Sequence, residues 1–118
     1  MSNRFVILHH RQDPGEHWDL MLEQGDVLLT WQLLRNPTVL VNYPIPARRT
    51  GDHRKAYLDY EGPLTRNRGT VRRVDCGTVE VEENAPKCVR FKLNGGRLWG
   101  SFLLRPQAEG WSFETAGG

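Results

Sequence analysis

The sequence has little that is typical of a secreted, membrane-embedded or zinc-stapled protein. Its 118 residues include only 2 cysteines, Cys76 and Cys88, which are too few for a disulfide framework or a zinc knuckle. The N-terminal apolar run at residues 5–8 is too short for a signal peptide, and no stretch has the length of a membrane span. From these absences we expect a cytoplasmic protein that has no membrane partner.

Common catalytic motifs are missing as well. The sequence contains no G-x-S-x-G, no Walker loop and no dinucleotide-binding fingerprint. Cys76 follows no recognisable base, so a thiol nucleophile is not expected. The net charge of +2 is compatible with a polyanionic partner but does not identify one.

Short β-rich segments separated by turn residues dominate the chain. With 12 glycines and 7 prolines, turn signals recur about every ten positions, and no run has a useful helical periodicity. This pattern predicts one all-β domain over residues 1–118, either a barrel or a sandwich. The predicted strands cover residues 4–10, 17–23, 27–34, 53–60, 70–74, 78–81, 88–93, 97–104 and 111–114. Residues 35–52 are predicted to form a long loop, and hairpin turns are expected at 75–77 and 94–96.

Residues 17–23 alternate strictly, which places His17 and Asp19 on one face of a strand and apolar side chains on the other. An imidazole and a carboxylate two residues apart are well placed to bind one metal ion. The preceding strand ends in His9 and His10, and a turn at 13–15 returns the chain as an antiparallel partner. Only one of these two histidines can face His17, and the residues alone leave that choice open. Manganese, iron, zinc and cobalt all suit such a ligand set.

A second group of residues could act on a phosphate ester near that metal. His53 and Tyr57 share one face of the predicted strand 53–60, where an imidazole could transfer a proton and a phenol could bind a phosphate oxygen. Arginine is the side chain best shaped to hold phosphate, although any single arginine can equally be ordinary surface charge. The arginines of the predicted loops and their edges are Arg35, Arg48, Arg49, Arg54, Arg66 and Arg68.

Taken together, these motifs resemble the 3′-phosphoesterase domain of bacterial ligase D. That family has an F-V-x-x-x-H run, then H-[YW]-D-L-R-L-E, and later D-H-x-x-x-Y-x-D-[FY]-E-G. The matching stretches here are Phe5-Val6-Ile7-Leu8-His9-His10, His17-Trp18-Asp19-Leu20-Met21-Leu22-Glu23 and Asp52-His53-Arg54-Lys55-Ala56-Tyr57-Leu58-Asp59-Tyr60-Glu61-Gly62. The resemblance extends from Phe5 to about Arg105.

The resemblance implies a compact β-barrel and a manganese-dependent enzyme acting on DNA or RNA–DNA 3′ ends. With the strands predicted above, we expect a closed or nearly closed antiparallel β-barrel of about eight strands with little helix. Such enzymes remove a 3′-terminal ribonucleoside and then the remaining 3′-phosphate during end joining. A monomer is expected, with a ligase or polymerase of end joining as a separate partner.

The resemblance also assigns roles residue by residue. His10, rather than His9, matches the first metal ligand, and His17 and Asp19 match the other two. His53 and Tyr57 match residues that act on the phosphate. Arg35 falls where the family has a lysine near the active site, and either Arg48 or Arg49 stands in for an arginine ahead of the D-H motif.

Two departures from the family pattern bear on activity. The loop between His10 and His17 is one residue longer than usual, and Met21 replaces the arginine of H-x-D-x-R. Methionine cannot donate a hydrogen bond or offset phosphate charge. A catalytically weakened module that binds DNA ends or phosphate is therefore an alternative. A small iron oxygenase using His17, Asp19 and His53 is a further, less favoured alternative.

Overall fold

The computed structural model describes residues 3–39 and 42–116; the rest of the predicted 1–118 domain lies outside the described residues. In chain order the strands are β1 (Asn3–Gln12), β2 (Gly15–Gln24), β3 (Val27–Leu33), β4 (Ile45–Arg54), β5 (Gly62–Pro63), β6 (Thr70–Ala85), β7 (Cys88–Gly95), β8 (Trp99–Pro106) and β9 (Trp111–Thr115), with a 3₁₀ helix at Lys55–Leu58 between β4 and β5. Within these residues, no helix has the length and apolar character needed to cross a membrane.

The strands form a single antiparallel sheet that closes on itself. The order is β1-β2-β3-β4-β9-β8-β7-β6, and β6 pairs again with β1, so eight strands make a ring. The short β5 pairs with β6 beside the ring. The predicted all-β class, the antiparallel pairing, the closure and the strand number are confirmed.

The interior of the ring is filled by the apolar half of each alternating strand. Trp31, Phe91 and Phe113 are fully buried there, and burial of each such side chain stabilises the fold by roughly 1.5–3 kcal/mol. Leu20 and Leu22 of β2 also lie in this core. Because strand side chains alternate, their neighbours Asp19 and Met21 must point to the outside of the ring.

The outer face of β1–β3 carries a second, smaller apolar layer. After β4, the 3₁₀ helix and the following loop fold back across this face, and Leu58 of the helix becomes buried. Tyr57 and Leu64 pack against the same layer. The layer consists of Val6, Leu8, Met21, Leu28, Leu58 and Val71. This outer covering forms the wall of the site described below.

The predictions for residues 35–60 were partly wrong. Residues 45–54, predicted as loop and strand start, form β4, which pairs with both β3 and β9. Residues 53–60 were predicted as one strand. In the structure β4 ends at Arg54, and the 3₁₀ helix follows at once. In β4 only Ile45 and Ala47 are buried, so the alternation that marks a strand is weak, and pairing with two neighbours determines the structure.

The predicted hairpin turn at 75–77 was also wrong, because β6 runs unbroken through these residues. Gly77 meets another strand closely instead of turning the chain: a Cβ at Gly77 would lie 2.1 Å from the carbonyl oxygen of Asn94. The register between β1 and β6 shifts at Ile7 and Leu8, which marks a bulge. The turn expected at 94–96 lies slightly later, between Gly95 and Trp99.

Candidate metal centre and active site

The hairpin of β1 and β2 brings the first three candidate residues together. Its register places His10 opposite His17 and Leu8 opposite Asp19, all on the outer face of the ring. One ligand atom from each of His10, His17 and Asp19 lies within 4.8 Å of the others. Two imidazoles and a carboxylate thus converge on a volume suited to a single ion.

Asp19 is the centre of this cluster. Its side chain is only 7% exposed, and its Oδ1 lies 2.6 Å from Nδ1 of His17. Its Oδ2 faces Nδ1 of His10 at 3.8 Å. A buried carboxylate needs a compensating positive charge or several hydrogen bonds, and here its neighbours are imidazole nitrogens, a type of atom that can bind a metal ion.

A hydrogen bond on the side of the ring away from Asp19 fixes the orientation of His10. Its Nε2 lies 2.6 Å from the carbonyl oxygen of Arg68, which can only accept a hydrogen bond. Nε2 therefore carries a proton that it donates to this carbonyl, while Nδ1 faces Asp19. A backbone carbonyl that holds the far nitrogen of an imidazole in this way is typical of metal-ligating histidines.

His9 lies on the opposite face of β1. Its ring stacks on Trp18 at 4.8 Å with an interplanar angle of 11°, and its Nε2 contacts Glu16 at 2.7 Å. The structure therefore brings His10, and not His9, to His17 and Asp19. Successive side chains of a strand point to opposite faces, and this decides between His9 and His10, which the residues alone left open.

A cavity of about 130 Å³ opens over the cluster, and His53 and Tyr57 are part of its wall. The two rings meet edge to face with centroids 5.5 Å apart, although His53 belongs to β4 and Tyr57 to the 3₁₀ helix. His53 uses Nδ1–H to donate to the carbonyl of Gly51 at 2.9 Å, which leaves Nε2 available. Met21 also lines this cavity.

The resemblance pointed to three arginines near the site, and the structure places them apart from one another: Arg35, Arg48 and Arg49. Arg35 donates to the carbonyl oxygens of Asn42 and Pro44, at 3.3 and 2.7 Å, and so braces its own loop. Arg49 stacks over the rings of Trp31 and Trp111 at 4.7 and 5.6 Å. In the part of the chain that the structure describes, neither of these arginines lines the cavity.

Arg48 has a different position from its neighbour Arg49. The register of β3 and β4 pairs it with Gln32, which itself lines the cavity. Directly paired residues share a face of the sheet. Arg48 therefore lies on the same face as Gln32 and Asp19.

Gln32 of the cavity wall was not singled out from the sequence, and Arg68 was named only as one of six arginines that could hold phosphate. Gln32 pairs with Asp19 across β2 and β3, and the tight turn at Gly25-Asp26 would have been sufficient to predict that register. Arg68 reaches the cavity from the loop after β5, and no local signal indicated how that loop closes.

Comparison with known proteins identifies the family. Residues 8–105 match the family described as DNA Ligase D 3′-phosphoesterase domain. The chain is 32% identical over 119 aligned positions to the multifunctional non-homologous end joining protein LigD of Mycobacterium bovis. It has the same identity to the multifunctional non-homologous end joining DNA repair protein LigD of Mycobacterium tuberculosis. These alignments cover 93% of the chain and 15% of each relative.

The family match includes β1 from Leu8 onwards, β2 to β4, the 3₁₀ helix and the loop that carries Arg68. All the residues that line the cavity therefore lie inside the matched region. The chain belongs to the DNA ligase D 3′-phosphoesterase domain family.

Proposed function

We propose that this chain is a metal-dependent phosphoesterase that trims DNA or RNA–DNA 3′ ends during end-joining repair. It would remove a 3′-terminal ribonucleoside and then the 3′-phosphate, leaving the 3′-hydroxyl that a polymerase or ligase requires. The observation that carries the proposal is the convergence of His10, His17 and Asp19 beneath a cavity that is also lined by His53 and Tyr57. Relatives named as end joining proteins support the repair context.

The donor set fits a divalent transition metal, and Mn²⁺ is our first choice. His10, His17 and Asp19 would hold it, with the far nitrogen of His10 already bound to a carbonyl. When bound, the metal would polarise a phosphoryl oxygen as a Lewis acid.

His53 and Tyr57 would serve the ester itself. With Nδ1 of His53 engaged by the Gly51 carbonyl, Nε2 can transfer a proton to the departing ester oxygen. The Tyr57 hydroxyl can donate a hydrogen bond to a non-bridging phosphate oxygen. Water supplies the new oxygen on phosphorus in both steps. The first step would release the ribonucleoside and leave a 3′-phosphate, and the second would release phosphate and leave a 3′-hydroxyl.

Charge on the phosphate would be met mainly by Arg68, since Met21 offers none. Arg68 lines the cavity, and its Nε and Nη2 are tied to the carbonyl and hydroxyl oxygens of Thr65 at 3.0 and 3.1 Å. This arrangement holds the guanidinium in place at little further entropic cost. Arg48, beside Gln32, is the second candidate for this task.

A second function is favoured by Met21 itself. Its side chain is 1% exposed and forms part of the wall at the position of the family arginine. Loss of a charge-stabilising donor costs a typical active site about 2.7–4 kcal/mol. If Arg68 does not replace that donor, the chain would bind DNA ends or phosphate without efficient turnover.

The two functions are separated by incubation of the chain with Mn²⁺ and a primer–template that ends in a 3′-phosphate or one 3′-ribonucleotide. We expect the wild type to process both ends and His17→Ala to be slower by about 100-fold or more. His9→Ala is the matched control and should retain activity, because His9 faces away from the cavity. Equal rates for wild type and His17→Ala would contradict the proposal. Metal and DNA-end binding without turnover would support the weakened module.

A further inference from the structure

A second cavity adjoins the metal site and has no role in the chemistry described above. Its volume is about 380 Å³, within the range of about 300–1,000 Å³ that is usual for small-molecule sites. Tyr57, Leu64 and Arg68 line both this cavity and the cavity over the metal cluster. The two cavities are therefore adjacent, and the second lies beside the place where a phosphate at the metal site would be held.

The walls of the second cavity suit a flat aromatic group. Tyr57 and Tyr60 form a corner, with ring centroids 6.2 Å apart and planes at 85°. Pro63 and Leu64 complete the apolar lining. The Tyr60 hydroxyl donates to the carbonyl of Pro63, which fixes the orientation of the ring.

The charge around this cavity favours a ligand with phosphate groups. Arg54 and Arg68 lie in its wall. The one acidic side chain among its described lining residues, Asp59, is paired with Arg4 at 2.7 Å. Its carboxylate is thereby neutralised, and the lining is left positive.

The loop at residues 64–69 closes the cavity in a fixed shape. Its ends are joined by a hydrogen bond from the N–H of Leu64 to the carbonyl of Gly69 at 2.8 Å. Gln12 of β1 donates to the carbonyl of Asn67 at 3.1 Å. At Gly69, which has φ +89°, a Cβ would lie 1.9 Å from the carbonyl oxygen of Arg11, so the loop packs directly on β1. The cavity exists before any ligand binds, which lowers the entropic cost of binding.

We propose that this cavity receives the nucleobase of the nucleotide that carries the reacting 3′-phosphate, with the base stacked on Tyr60. The proposal rests on the proposed function, since it places the phosphate at the metal cluster. Stacking on an aromatic ring is tolerant of base identity, so the site would recognise the presence of a base and not its sequence. The base must leave the helical stack, which costs least when it is mismatched.

The test compares two primer–templates whose last primer nucleotide is unpaired and carries a 3′-phosphate. One has a normal base at that nucleotide and the other an abasic sugar. Binding is measured by fluorescence anisotropy in chelator, so that metal-dependent turnover does not interfere. We expect the wild type to bind the base-bearing end about tenfold more tightly, within the range known for one stacked base.

Four variants locate the base. Tyr60→Leu should abolish the preference, and Tyr60→Phe, which keeps the ring, should retain it. Ala56→Trp fills the cavity from the exposed 3₁₀ helix and should also abolish the preference, independently of any effect of Tyr60 on folding. Trp99→Leu is the control, because Trp99 is 74% exposed and lies outside this cavity.

Equal binding of both ends by the wild type would overturn the proposal. A preference that survives both Tyr60→Leu and Ala56→Trp would also overturn it, as would a preference lost in Trp99→Leu. Turnover of the same ends in Mn²⁺ is measured separately. Absence of turnover with the base preference intact would count against the proposed function alone.

Discussion

Two buried carboxylates of this protein have opposite surroundings. Counted over the whole residue, Asp19 is 5% exposed and Asp75 is 6% exposed. The oxygens of Asp75 accept hydrogen bonds from four backbone N–H groups, at 2.8–3.2 Å. The donors belong to Cys76, Gly96, Arg97 and Leu98. Among the described residues, the oxygens of Asp19 instead face the ring nitrogens of His10 and His17.

This difference separates a carboxylate that holds the fold from one that can hold an ion. Backbone N–H groups cannot bind a cation, so the interactions of Asp75 serve only to tie the turn between β7 and β8 to β6. Imidazole nitrogens and a carboxylate can bind the same cation, so the negative charge of Asp19 could contribute to cation binding. Burial of an acidic side chain does not by itself mark a functional site; the nature of its partners does.

Removal of the negative charge of Asp19 should have the largest effect on activity. We expect Asp19→Asn to reduce turnover of a 3′-phosphate end by about 100-fold or more, because the amide is a poor metal ligand. In metal-free buffer its unfolding free energy should stay within about 1 kcal/mol of the wild type, since the amide oxygen can still accept from His17. Single-turnover kinetics and urea titration measure the two effects.

The opposite result is expected at Asp75. Asp75→Asn should lower the free energy of unfolding by about 2–3 kcal/mol, because one amide oxygen cannot satisfy all the N–H donors. Turnover per folded molecule should be unchanged, as Asp75 does not line the cavity. Urea titration beside Asp26→Asn, an exposed turn residue, provides the control. A loss of turnover at full stability would show that the comparison is wrong.

A positive charge added near Asp19 tests whether Met21 limits activity. Met21→Arg should raise turnover by about tenfold if phosphate charge is under-compensated. It should also lower stability by about 1–2 kcal/mol, because Met21 packs in the outer apolar layer. Met21→Leu should keep wild-type turnover. If both variants turn over at the wild-type rate, Met21 does not limit activity.

Glu23 is an intermediate case and should give the smallest effect. The N–H of Arg4 donates to its carboxylate at 2.8 Å and lowers its pKa below the ordinary value of 4.5, and Lys55 at 3.2 Å acts in the same direction. A lowered pKa means that the stabilisation is present above about pH 4.5 and is lost as pH falls through the folded-state pKa.

Glu23→Gln should therefore cost up to about 1 kcal/mol at pH 7. The difference from the wild type should shrink as the pH is lowered to 3, because the carboxylate of Glu23 loses charge as the pH approaches its lowered folded-state pKa. Urea titrations at the two pH values measure this change. A difference that grows in acid would have the wrong sign for a carboxylate with a lowered pKa.

The sequence predicted the grouping of His10, His17 and Asp19 better than the region around it. Alternation along β2 and a short turn were enough to place His17 and Asp19 opposite the end of β1, because strand geometry is local. The 3₁₀ helix that carries Tyr57 was missed, since its position depends on packing of Leu58 against the outer face of distant strands. At Gly77 the glycine signal was read as a turn, although its cause was a close approach from Asn94 on β7.

The roles of individual arginines were the least predictable feature. Arg48 and Arg49 are adjacent in sequence, yet one faces Gln32 and the other stacks on Trp31. Only the register of β4 distinguishes them, and β4 has too few buried residues to reveal that register. Arg68 depends on closure of its loop against β1, which involves contacts 58 residues apart in sequence.

We propose that Asp19, with His10 and His17, holds a divalent metal ion, whereas Asp75 serves only the fold. Calorimetric titration with Mn²⁺ tests it directly on the wild type, Asp19→Asn and Asp75→Asn at a temperature where all three are folded. We predict one bound ion for the wild type and for Asp75→Asn, and none for Asp19→Asn. Equal Mn²⁺ affinity in Asp19→Asn and the wild type would contradict the claim.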